Sequence, residues 1–126
     1  MSFSNTYETI VLKWTFTTDS VTRPTAWYIG LFTTDPGEAS GGTEISGGAY
    51  VRKAATFSVT GDTATNTAAI EFDVATASWG TITHIAVFDA STGGNQIAYA
   101  ALTASKTIDT GDVLRIPAGD LDITLD

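Results

Sequence analysis

The stretch Trp79–Leu102, WGTITHIAVFDASTGGNQIAYAAL, decides the fold. Ile82, His84, Ala86 and Phe88 alternate with Thr81, Thr83, Ile85 and Val87, and Ile97, Tyr99 and Ala101 alternate with Ala98, Ala100 and Leu102. A period of two is that of a β-strand. Between the runs, Gly93-Gly94 reaches the positive φ of a chain reversal without the steric cost of a Cβ. Both faces are largely apolar, which predicts a central hairpin covered on both sides rather than a sheet with one wet face. The hairpin specifies a core and contains no chemistry.

Upstream, residues 5–15 read as the one helix. Asn5 stands at the cap with Glu8 three residues later, and Tyr7, Ile10, Val11 and Trp14 form an apolar stripe. Such a helix either closes one end of its own sandwich or docks on a neighbouring subunit. Residues 26–33 read as an apolar strand. The loop 34–48 is long for a compact domain and is a functional candidate on that ground. Residues 49–59 and 68–74 alternate as strands around a polar Thr/Asn stretch, and 113–116 and 121–125 complete the set. Tyr28–Phe32 echoes His84–Phe88, which suggests two similar hairpins in opposed positions. The whole predicts an all-β chain: a single antiparallel β-sandwich, jelly-roll-like, spanning 1–126, with a short N-terminal helix at 5–15 and strands across 26–125.

Composition narrows the function. The 126 residues carry 14 acids against 6 bases, a net charge of −8, with no basic stripe that would neutralise phosphates, so direct nucleic-acid binding is not expected. Cysteine is absent, which removes disulfides and thiolate metal sites. The opening MSFSNTYETIVLKW lacks the features of a signal peptide, and no stretch is long and apolar enough to span a membrane as a helix. These features predict synthesis in a cytoplasm with no membrane partner.

No candidate for catalysis gathers support. His84 is the one histidine, mid-strand and without the partners of a triad or zinc site. Asp109, Asp112, Asp120, Asp122 and Asp126, with Asp35 and Glu38, offer oxygen ligands for calcium, but their spacing matches no EF-hand loop. Asp109-Thr110-Gly111 has no second copy to make an aspartic-protease pair. Glu71 and Asp73 share a strand face, as exposed acids ordinarily do. Trp14, Trp27, Tyr28, Tyr50, Trp79 and Tyr99 suit core or interface burial better than a sugar platform. No enzyme, cofactor or metal is expected.

The opening MSFSNTYETIVLKW, the L-x-T-x-D-P-G loop at Leu31–Gly37, the block Ser78–Asn95 and the ending AGDLDITLD together resemble a family of small virion proteins of tailed bacteriophages described as tail fibre proteins. The resemblance covers nearly the whole chain and implies a structural virion component with no catalytic residues. A fibre shaft needs heptads or a repeat, and this chain has neither. By analogy with other compact virion blocks, the expected role is a capsid decoration (cement) protein on the outer head surface. Its expected partners are the major capsid protein and two further copies of itself in a homotrimer. The alternative is a tail fibre or tail-tip component that binds a host surface glycan. Tyr7 and Trp14 of the helix and Asp35, Pro36, Gly37 and Glu38 of the long loop are the expected contact residues.

Overall fold

The computed structural model describes residues 1–125. It is mostly antiparallel β-structure with a single short helix. Strands β1 (Ser2–Phe3), β2 (Trp27–Phe32), β3 (Lys53–Ala55), β7 (Gly80–Phe88) and β8 (Gln96–Ile108) form a five-stranded sheet in the order β1-β8-β7-β2-β3. Opposite it stand a three-stranded sheet, β10 (Asp122–Thr124)–β5 (Thr63–Asn66)–β4 (Phe57–Thr60), and a two-stranded one, β6 (Ile70–Glu71)–β9 (Arg115–Ile116). One core joins the layers. Ile29, Leu31, Ile82, Ile85 and Val87 of the large sheet meet Ile70, Phe72, Leu114 and Leu121 of the facing side. The architecture is the expected sandwich.

The β7–β8 hairpin is its centre, as the alternation predicts. Ile85–Phe88 are all buried. Ile85 and Val87 belong to the main core, while Ala86 and Phe88 pack with Phe32 in a second cluster on the other face. One face assignment is corrected. Ile82 shares the core of Ile85 and Val87, not the face of Ala86 and Phe88. The ladder runs Ile82↔Lys106 and then His84↔Ala101, so Thr83 alone faces Leu102–Ser105. This bulge breaks the period of two and resets which face each side chain takes.

Other boundaries differ for identifiable reasons. The helix α1 (Asn5–Phe16) is capped by Ser4, not Asn5. Ser4 Oγ accepts from Tyr7 N at 3.3 Å and donates to the Gln96 carbonyl, so the residue at the capping-box position is Tyr7 rather than Glu8. The expected strand 49–59 is two strands that change sheet at Thr56: β3 pairs with β2, and β4 pairs with β5. The polar stretch read as a connection contains β5. Its buried Asn66 donates to the Ala68 and Pro117 carbonyls and accepts from Leu121 N, satisfying its amide in full view of the core. The strand expected over 68–74 shrinks to β6, and those over 113–116 and 121–125 to β9 and β10. The two echoing strands are neighbours in one sheet, Tyr28↔Phe88 through Phe32↔His84, rather than opposed across the core.

The 34–48 loop is not structureless. It returns to the sheet through a bridge between Phe32 and Glu44, with Ile45 N donating to Leu31 O and the Ile45 side chain buried. It ends at Gly48, whose φ is +58° and whose carbonyl accepts from Trp79 Nε1 at 2.9 Å. A Cβ on Gly48 would lie 2.9 Å from that nitrogen. Gly48→Ala is therefore expected to destabilise the fold by at least about 1–2 kcal/mol from backbone conformation alone, read as a lower denaturant midpoint with an unchanged m-value.

Candidate functional site

The predicted contact residues fall into two groups. Asp35–Glu38 and the start of α1 are stitched together at one end of the molecule. Glu38 O accepts from Asn5 N at 3.0 Å, Gly37 O accepts from Gln96 Nε2 at 2.8 Å, and Asp35 Oδ1 accepts from Gly37 N at 2.9 Å. The Asp35 and Glu38 side chains are exposed, but Pro36 is buried and serves the shape of the turn. Tyr7 packs at the foot of the helix. It is buried, and its hydroxyl donates to Asp89 Oδ2 at 2.9 Å.

Trp14 is different. It lies nine residues beyond Asn5, about 14 Å along the axis, and is 67% exposed. Leu12 and Phe16 beside it are 58% and 77% exposed, and Leu125 joins Phe3, Val11 and Leu12 around one groove. A second, mostly apolar groove of about 570 Å³ runs past Phe3, Ile10, Val11, Trp14, Pro24 and Leu125, with Arg23 at its wall. The stripe in the sequence pointed to Tyr7, Ile10, Val11 and Trp14. Leu12, Phe16 and Leu125 were missed because they lie off that stripe, and only their lack of cover in the folded chain identifies them.

The titratable groups serve structure. Burial of Asp89 opposes its ionisation, but donors from Asn95 N, Tyr7 Oη and Asn95 Nδ2 outweigh it and hold its carboxyl below the usual carboxylate range. Burial, then the bond to Asp89, pushes the Tyr7 phenol well above its usual value. Burial, then the bond to Glu44, does the same for Tyr50. The signs follow from linkage. Asp89, depressed in the folded chain, contributes stability that is present above its ordinary value of 3.8 and lost as pH falls through the lower folded value. Tyr7 and Tyr50, raised in the folded chain, disfavour folding once the unfolded chain ionises near 10.0. Urea midpoints measured from pH 2 to 11 are expected to be flat between about 5 and 9 and to fall on both sides. Tyr7→Phe should shrink the acid-side loss.

The remaining sequence candidates are accounted for locally. His84 Nδ1 lies 2.8 Å from Thr83 Oγ1, and Nε2 is 3.9 Å from Asp35 Oδ1. Asp112 Oδ2 accepts from Asp109 N at 2.9 Å, which makes Asp109–Asp112 a turn. Asp73 pairs with Lys53 at 2.8 Å, and Glu71 stands across from Arg115 in β6–β9. Among the described residues no three His, Asp or Glu side chains gather as metal ligands. Asp126, the last of the proposed oxygen donors, lies outside the described residues.

The exposed apolar side chains of α1 are thus the candidate contact surface. No curated protein matches the chain. Residues 2–124, almost the entire sequence, match the family described as "Podophage GP4 fiber I protein gp80". A structural role in the virion and the sequence resemblance noted above agree with that match. The chain belongs to the podophage fibre I protein gp80 family and is a structural protein of the phage particle.

Proposed function

We propose that the chain is a globular building unit of a fibre-type virion appendage, joined to further copies of itself through the exposed apolar side chains of α1. The exposure of Leu12, Trp14 and Phe16 carries this reading. Leu12 and Phe16, four residues apart, share one side of the helix, while Trp14, about 200° round from each, lies on another side along the second groove; large apolar side chains left exposed in this way mark an interaction surface. The family description names a fibre, yet a compact domain of 126 residues has no shaft. A fibre built from it gains length by joining units. Closed self-association, such as the expected homotrimer, hides the same surface.

The compact, sparsely charged block also favours a second arrangement, decoration of the outer head surface through contacts to the major capsid protein. Immunogold labelling of intact virions separates the two. Label confined to fibres or the tail region is the expected result. Dense label over the whole head would overturn the fibre reading in favour of decoration.

A further inference from the structure

A cleft of about 630 Å³ separates one side of α1 from the segment Ser20–Thr25. We propose that it binds an acidic saccharide, a short run of sugars carrying carboxylate or phosphate groups. The proposal rests on the fibre reading for where such a ligand would be met, but the site stands on its own geometry.

Lys13 and Arg23 both line this cleft, two of only six bases in a chain of net charge −8. Two of the others are neutralised, Arg52 by Glu44 and Lys53 by Asp73. Among the described residues no carboxylate lies in ion-pair range of Lys13 or Arg23, although Asp89 is on the same wall. The cations therefore remain available for charge-assisted hydrogen bonds to an anion.

A bare anion does not fit the rest of the wall. Asp89 is held ionised by Tyr7 and Asn95 and repels one. The carboxylate retains accepting capacity for hydroxyl donors. Thr6, Thr22 and Thr25 add hydroxyls, and Ile10, Val21 and Pro24 add apolar surface of the kind that packs on a sugar's C–H face. The complementary ligand carries hydroxyls toward Asp89 and an acidic group toward Lys13 and Arg23. That combination is an acidic sugar, not inorganic phosphate.

The test is a titration of the full-length ¹⁵N-labelled protein, followed by NMR, with four probes: tetragalacturonate, mannose 6-phosphate, neutral maltotetraose and inorganic phosphate. Saturable shifts confined to the cleft residues are expected with at least one of the two acidic sugars. Maltotetraose and phosphate should bind at least about ten-fold more weakly, since each loses one class of contact. Lys13→Gln and Arg23→Gln, both at exposed positions, should each weaken binding about ten-fold while leaving the spectrum of the free protein folded. Equal binding of inorganic phosphate would reduce the cleft to an anion site and overturn the proposal. So would silence of the cleft toward both acidic sugars, or shifts unaffected by the two variants. Those failures leave the fibre reading intact, because particle labelling decides it. Head-wide label with cleft binding preserved would overturn the fibre reading and not the site.

Discussion

Arg52→Met is expected to cost the fold about 3–5 kcal/mol, the range for breaking a desolvated ion pair by removing one partner. The Arg52 side chain is only 9% exposed. Its Nε and Nη2 each donate to Glu44 at 2.8 Å, a two-point fork, and Nη1 donates to the Ala90 carbonyl at 3.0 Å and the Gly93 carbonyl at 2.8 Å. Its guanidinium also lies 3.5 Å from the centre of the Phe88 ring. One side chain thus ties the end of the 34–48 loop to the tip of the central hairpin. Removing it strands Glu44, which also accepts from Tyr50 Oη at 2.6 Å, beside a half-buried phenol held neutral. Lysine cannot reproduce the planar fork, so Arg52→Lys should recover only part of the loss. Glu44→Gln combined with Arg52→Met should cost less than the sum of the two single changes, because the partners share one interaction. Urea unfolding measures the four variants against the parent. Additive losses, or a loss under about 1 kcal/mol for Arg52→Met, would show that the network is ornamental.

The contrast between this network and the rest of the chain explains what the sequence discloses. Alternation and turn residues are local, and they indicate the β7–β8 hairpin, β2, the helix and the β-sandwich class. The errors arise where a non-local contact overrides a local pattern. Thr83 and Leu102–Ser105 form a bulge whose existence depends on the partner strand. Thr63–Asn66 looks like a polar connection because three of its four residues are threonine or alanine and its asparagine is polar, yet Asn66 is buried by bonds to residues more than fifty positions away. Ser4 outcompetes Asn5 as the cap because Ser4 Oγ can also reach the Gln96 carbonyl across the sheet. In the sequence Arg52 is simply one of six bases. Nothing in its neighbours indicates that Glu44 and two carbonyls from the hairpin tip converge on it.

The surface was legible in part for the same reason. Trp14 sits on a visible stripe, whereas Leu12 and Phe16 become informative only once no part of the described chain covers them. Their collective replacement, Leu12→Gln with Trp14→Gln and Phe16→Gln, is expected to turn a self-associating protein into a monomer of 13.2 kDa. Fully burying one such side chain is worth about 1.5–3 kcal/mol. After the rigid-body and side-chain ordering costs of association, losing three on each copy should weaken assembly by roughly a thousand-fold or more. Because the three residues are exposed in the isolated chain, the thermal midpoint of the monomer should stay close to that of the parent monomer, and glutamine keeps good helix propensity. Light scattering at micromolar concentration gives the mass, and circular dichroism verifies the fold. A parent protein that scatters as 13.2 kDa would remove self-association from the proposal, as would a triple variant that assembles like the parent. If the parent assembles and the variant does not, the variant should also be missing from virions grown with it in place of the parent. Selective loss of this one protein from otherwise complete particles would then identify the exposed apolar side chains of α1 as its means of joining the appendage.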